Sequence, residues 1–555
     1  MPDKLQIFCV NTQSYIPCDG GDSLAQIASR VANHIQFSPI CAKVNNKTED
    51  LSFRLFAPKM VEFMPLHSPA GQRVYIRSLC MLLFCAVRKL FPNDSLRIEH
   101  SISHGYFCRL SSTTVTPEVI ESIIKEMRLL VNADIPFIRH EKMRDDVIYI
   151  FRRENLDDKV TLLKSLHLLY ADYYSLGETA DSYYGPLAPS SGTLKLFNLI
   201  PYHDGMLLLG PDPANPTEVA TPVTHEKLFN AFTEYLRFNN ITGVRNVGEL
   251  NMAVENKRTE SLIHVAEALH AKKIASIADE ITRRFNQGGA RVVLVAGPSS
   301  SGKTPFTKRH AIYLLTNLLV PQMISLDNYF VDRTKTPRDE SGDYDYESLY
   351  ALDIDLFNKH LSQLIDGQEV QLPTYSFESG TRIYKGDSIK LSPNSILLIE
   401  GIHGLNPELT AAIDDNMKFK VYVSALTTLS IADHNWVPTT DNRLLRRIIR
   451  DHKYRGTSAI ETIRRWPSVR RGEEKWIFPF QENADSMFNS SLIFELGVMK
   501  QYGEELLRSV PHDIPEYSEA NRLLKFLSYF APIGEKAIPP TSLLREFLGG
   551  SSFKY

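Results

Sequence analysis

Apolar residues recur along this chain at two spacings, and the alternation between them divides it into elements. Within residues 3 to 64 an alternating run, LQIFCVN, leads to a Gly20-Gly21 turn. A helical pattern, SLAQIASRVANHI, and two strand-like pieces, ICAKVNN and MVEFM, complete a small predicted α+β unit. IRSLCMLLFCAVRKLFP then reads as an apolar helix, and EHSISHGYF alternates as a strand. Residues 258 to 287 carry Ile263, Ala266, Leu269, Ile274, Ile277 and Ile281 near helical spacing, and Gly288-Gly289 ends them. This long helix predicts a bridge into the following region, with a coiled-coil partner as the other reading. Beyond it, strand-like runs with acidic ends, MISLD and ILLIE, alternate with helices. That is the pattern of a parallel sheet presenting functional groups at the carboxyl ends of its strands.

The β-branched run RVVLVA feeds directly into Gly297-Pro298-Ser299-Ser300-Ser301-Gly302-Lys303-Thr304. This is the complete pattern G-x-x-x-x-G-K-[ST] of a P-loop. Its glycines let backbone N–H groups curl around an anion, the helix that follows points its positive end inward, and Lys303 adds a full charge. All eight residues are candidate ATP-binding residues, and Thr304 is a candidate Mg²⁺ ligand. Pro305 departs from expectation because it has no N–H to offer the phosphates, although its fixed φ suits a first helical turn. The departure predicts weakened nucleotide binding.

Composition changes this picture little. With 555 residues, 43% hydrophobic and 23% charged, the chain has room for three or four ordinary globular domains. Its net charge of −3 excludes a general polyanion binder. No run reads as long and apolar enough to span a membrane, and MPDKLQIFCVNTQ lacks a secretory signal, so a cytoplasmic location without membrane contact is expected. Cys9, Cys18, Cys41, Cys80, Cys85 and Cys108 lack CxxC spacing and read as reduced, buried thiols.

Downstream of the P-loop come MISLDNYFVDRTKTPRDESGDYDYES, VQLPTYSFESGTR, ILLIEGIHGLNP and DNRLLRRIIRDHKYRG. From about residue 290 to 500 this succession resembles the uridine kinase and phosphoribulokinase family of P-loop kinases. The resemblance implies an α/β fold with a parallel sheet flanked by helices, and use of ATP and Mg²⁺. It also implies phosphorylation of a nucleoside, uridine or cytidine, at its 5′-hydroxyl. Lys303, Asp327 and Glu400 are then the catalytic residues. Asp327 accepts the hydroxyl proton, and Glu400, ending a Walker-B-like strand, holds Mg²⁺ together with Thr304. Glu347 falls where an acid holds the ribose hydroxyls, Tyr375 where a tyrosine meets the base, and Arg447 where an arginine faces the substrate. Arg450 and Arg455 face the nucleotide phosphates. Two base-side contacts are absent, since the family's histidine position holds Gly380 and its glutamine position holds Arg465. With Arg443 and Arg446, the arginines read as a mobile lid closing over ATP, or as a solvated basic helix. Trp466, Trp476, Phe478 and Phe480 read as core residues, with packing against a base as the other reading.

The front half carries a different resemblance. Strand, turn and helix followed by AKVNNKTEDLSFRL resemble the β-grasp TGS domain that opens threonyl-tRNA synthetases. That implies contact with RNA or with another domain, or a structural cap. Residues 65–250 resemble the editing-type, second additional α+β domain that follows TGS in those enzymes, but the ligand positions hold Met81, Cys85, Tyr183 and Leu187. A zinc or water-activating site needs imidazole, thiolate or carboxylate ligands, and Met and Leu cannot supply one, which removes an editing hydrolase from consideration. His100 and His104 keep HxxxH spacing, but on a strand they would share a face about 13 Å apart. The organisation read from sequence is therefore 1–64 TGS-like, 65–250 synthetase-like, 251–289 helical linker and 290–555 kinase-like, as in three-part bacterial uridine kinase-like proteins. PPTSLLREFLGGSSFKY also resembles that subgroup's ending. The rival readings are a kinase for another small hydroxyl compound, or a nucleotide-gated RNA- or ribosome-associated module. Homo-oligomerisation is left open.

Overall fold

Alternation near the N-terminus produces a mixed five-stranded sheet in the order Ser14–Cys18, Leu5–Cys9, Met60–Met64, Cys41–Val44, Lys47–Glu49. The computed structural model describes residues 5–340, 342–376 and 378–554. The sequence pattern missed two of these strands, Ser14–Cys18 and Lys47–Glu49, because each is the short return arm of a hairpin. Leu5–Cys9 runs parallel to Met60–Met64, and every other pair is antiparallel. Helix Leu24–Val31 is capped by Ser23 and Gln26 in a reciprocal capping box and buries Leu24, Ile27 and Val31 against the sheet. The region packs against later parts of its own chain: Asn46 Nδ2 donates to His512 O at 2.9 Å, and Tyr174 Oη donates to Asp50 Oδ2 at 2.8 Å.

Helix Pro69–Leu90 runs through the core of the next region, beside a four-stranded antiparallel sheet and a three-stranded one. Contrary to the sequence reading, this helix is long and apolar enough to cross a membrane, but 89% of its most apolar window is buried inside the protein. A core helix covered on all sides needs no polar face. EHSISHGYF is a hairpin rather than one strand. Ser103 and His104, with φ of 56° and 64°, form its turn. His100 is buried and stacked 3.8 Å from Phe232, whereas Nδ1 of the exposed His104 lies 3.0 Å from Thr221 O. The two imidazoles therefore share no face.

Met81, Cys85, Tyr183 and Leu187 are all buried in this core, and all six cysteines are free and buried. A polar cluster lies beside them. Lys159 is ion-paired to Asp181, with its ammonium 5.2 Å from the Tyr183 ring centroid. His434, arriving from far along the chain, places Nδ1 2.8 Å from the same carboxylate. His434 lies between strands Ser430–Ala432 and Asn435–Trp436 of a small hairpin. This hairpin also sets Asp433 O against Ile98 N at 2.7 Å and the Trp436 ring 4.5 Å from Tyr106.

Helix Thr259–Asn286 lays Ile274, Ile277, Ala278 and Ile281 onto the last region's sheet, while Leu262, Ile263 and Ala266 join a neighbouring helical core. It is a packed bridge. That sheet has five parallel strands in the order Val320–Ser325, Ser395–Glu400, Val292–Ala296, Lys418–Ser424, Ser486–Asn489. Val292–Ala296 is central and wholly buried, so the loop after it opens at the middle of the sheet's carboxyl edge.

Candidate active site

The loop from Gly297 to Gly302 links the central strand to helix Lys303–Thr316. A Cβ at Gly297 would collide with Val423 O, so only glycine lets the chain turn this close to the neighbouring strand. Ser300 at φ 58° and Gly302 at φ 82° are left-handed, curling the backbone into an anion-sized nest ahead of the helix N-terminus. Pro305 occupies the third helical position, where the helix needs no N–H, and is buried.

Lys303 Nζ donates to Pro298 O at 3.1 Å, folding back over the loop. Thr304 Oγ1 lies 3.1 and 3.2 Å from the two carboxylate oxygens of Glu400. Glu400 ends the adjacent strand, and Asp327 sits in the turn Leu326–Tyr329 after the edge strand. Both carboxylates and Glu347 face Lys303, and burial lowers the Lys303 ammonium from its usual value against their pull. Desolvation pushes the Glu400 carboxyl up to about 7, reinforced by Asp327 and opposed by Lys303 and Thr304. Asp327 opens to solvent at the mouth of the cleft, yet the cleft walls raise it too, while Lys303, Arg455 and Arg450 pull it back down. Thr304 and Glu400 form a pair of hard oxygen donors suited to Mg²⁺, which binds few protein ligands and keeps its waters. No group of three or more ligating side chains is present among the described residues.

The arginines are arranged differently from the mobile lid expected of them. Arg443 and Arg446, on helix Thr439–Arg455, are buried and immobilised. Arg443 pairs with Glu473 and donates to Ser299 O at 3.1 Å; Arg446 pairs with Glu495 and reaches Ser300 O at 3.4 Å and Ser490 Oγ at 3.1 Å. Glu473 also accepts from Ser299 N at 3.1 Å. These groups brace the loop from behind, because buried charge is tolerated only when paired. Arg447 donates to Ser299 Oγ at 2.9 Å and pairs with Asp451 at 3.3 Å. Arg450 and the half-exposed Arg455 also lean on Asp451, at 2.8 and 3.5 Å. The sequence reading missed Glu473, Glu495, Ser490 and Asp451. Only Asp451, on the arginine helix itself, had a local signal.

Glu347 packs against Gly472, where any Cβ would strike it, and its Oε2 is buried without a hydrogen-bond partner among the described residues. Burial pushes its carboxyl up to about 7, with Arg447 opposing and Glu473 reinforcing. Tyr375 is buried, with its ring 5.5 Å from Phe330, and its N–H reaches Asn328 Oδ1 at 3.3 Å, next to Asp327. Gly380 takes a left-handed φ of 70° with Arg333 pressed against it, which explains why no histidine stands there. Arg465 is exposed. Trp466 lies 5.4 Å from the Arg443 guanidinium, and Trp476 lies between two core clusters with Nε1 unpartnered among the described residues.

Residues 292–492 match the model of the Phosphoribulokinase / Uridine kinase family. The uridine kinase of Staphylococcus aureus (strain JH9) is 30% identical over 202 residues, covering 35% of this chain and 84% of that enzyme. Towards the N-terminus, the threonine–tRNA ligase of Desulforamulus reducens is 29% identical over 182 residues, 32% of this chain. The chain spans only 29% of that ligase's length. Among solved structures, a possible uridine kinase from Bacillus stearothermophilus is similar at 21% identity and a TM-score of 0.27, covering 39% of this chain and 100% of that one. D-glycerate 3-kinase from Cryptococcus neoformans is similar at 14% identity and a TM-score of 0.27, covering 39% and 90%.

Proposed function

This chain belongs to the Phosphoribulokinase / Uridine kinase family and carries its small-molecule kinase domain, and from that premise we propose that it transfers the γ-phosphoryl group of ATP to the 5′-hydroxyl of a pyrimidine nucleoside. The observation that carries this reading is Asp327, solvent-open at the carboxyl edge and facing Lys303 across the mouth of the P-loop. Phosphoryl transfer passes through a loose transition state, so catalysis is largely positioning and charge stabilisation. The loop amides and Lys303 hold the phosphates, and Arg450 and Arg455 turn from Asp451 towards them. Asp327 orients the acceptor hydroxyl and takes its proton. Glu347 accepts from the ribose hydroxyls, and Arg447, fixed on Ser299 Oγ, closes the side between acceptor and loop. Thr304 and Glu400 would hold Mg²⁺, which when bound would neutralise charge on the phosphates.

Purified protein with ATP and Mg²⁺ is expected to release ADP with uridine or cytidine. Asp327→Asn is expected to lower kcat by about two orders of magnitude or more while leaving ATP affinity unchanged. ADP release only with another hydroxyl compound would move the acceptor to that compound. Silence across a panel of nucleosides and small polyols would overturn the kinase reading.

A further inference from the structure

The chain continues beyond the family-matched segment, and its last helix, Arg545–Leu548, returns to the P-loop. Phe547 is fully buried with its ring centroid 4.9 Å from the guanidinium of Arg446, the residue that braces Ser300. Lys453 donates to Leu548 O. On the other side Arg545 is tied to Glu535 at 2.8 Å and to Ile538 O at 2.8 Å. The helix is therefore fixed at both edges. Glu546, between these anchors, is carried inward.

Its Oε2 is buried and has no hydrogen-bond partner among the described residues. Burial raises its carboxyl from the usual value, and the charges of Arg450, Lys303, Arg446 and Arg455 oppose that rise, while its own charge acts on Lys308, Glu400 and Tyr454. Three of these cations hydrogen-bond elsewhere: Lys303 to Pro298 O, Arg446 to Ser490 and Glu495, Arg450 to Asp451. A carboxylate placed for stability would be paired with one of them, since an unpaired buried acid costs free energy. This one instead feels the charges of Lys303, Arg450 and Arg455, which the kinase reading, on which the inference rests, assigns to the phosphates.

We propose that Glu546 is a residue of the triphosphate subsite, delivered by the C-terminal helix, where its charge opposes the nucleotide phosphates and sets ATP affinity below what the loop alone would give. Isosteric Glu546→Gln removes the charge and keeps the shape. Calorimetric titration of the full chain is expected to show E546Q binding ATP and inorganic tripolyphosphate about tenfold more tightly than wild type, with adenosine binding unchanged. Equal or weaker ATP binding by E546Q would overturn the inference while leaving the kinase reading intact, and so would a gain for adenosine as large as that for ATP. Loss of folded protein, read by thermal melting, would make Glu546 structural and overturn it as well. If neither protein binds ATP or tripolyphosphate, the P-loop reading fails, and this inference fails with it.

Discussion

Pro305 stands at the third position of the P-loop helix, where the fold tolerates a missing N–H but a bound phosphate would miss it. Pro305→Thr restores that donor and is expected to lower the KM for ATP by about three- to tenfold, the net worth of one ordinary hydrogen bond. Steady-state kinetics check this, and an unchanged KM would show that the remaining amides suffice. Glu347 allows a test of a different kind. Its carboxyl titrates near 4.5 in an unperturbed chain and at about 7 in the fold, so between those pH values the folded state holds the extra proton. Stability contributed by this group is therefore fullest below pH 4.5, falls as pH rises through the window, and levels off above 7. Glu347→Gln, neutral throughout, is expected to stabilise the nucleotide-free protein at pH 8 by about 1–3 kcal/mol, with the gain vanishing near pH 4.5 in a series of melts. At this scale the P-loop was legible because its eight residues are contiguous. Gly380 was legible only as a departure. Its reason, a left-handed turn against Arg333, depends on a contact with a distant turn of the chain that spacing cannot reveal.

Helix Thr439–Arg455 shows why an element can be found correctly and its use misread. Arginines spaced three and four apart look like a solvated stripe, and beside a P-loop they look like a lid. The acids that bury two of them lie 30 and 49 residues further on, in helix Ala459–Trp476 and helix Glu495–Arg508, beyond any local pattern. Arg443 and Arg446 consequently act as braces, leaving Arg447, Arg450 and Arg455 as the arginines nearer the open cleft. Glu473→Gln breaks the Arg443 pair and weakens the anchor of Ser299 N. It is expected to cost about 3–5 kcal/mol of stability and to raise the KM for ATP, measured by denaturant unfolding and by kinetics. Unchanged stability would return Arg443 to the lid.

Across the whole molecule, the hairpin Ser430–Trp436 joins the kinase half to the core that buries Met81, Cys85, Tyr183 and Leu187. Trp436 belongs to the synthetase-like core, whereas Leu429, Ile431 and Val437 belong to the helical core of the kinase half. Trp436→Ala is expected to cost about 3–5 kcal/mol and to split a single calorimetric transition into two, with ATP raising only the second. One transition in the variant would show that other contacts couple the halves. The resemblance to two unrelated enzymes was legible in sequence because each half keeps its own motifs. Their junction was not, since it pairs His434 with Asp181, residues that neither motif contains.

That pairing spans 253 residues and so imposes an order on synthesis. The front half leaves the ribosome first, with Lys159 and Asp181 made but the place of the imidazole and indole still vacant. It must wait in that state, open to water, until the kinase sheet has largely been made. The late step of maturation is then the filling of the older domain by the newer one, and only after it does the helix that braces the P-loop gain a fixed base.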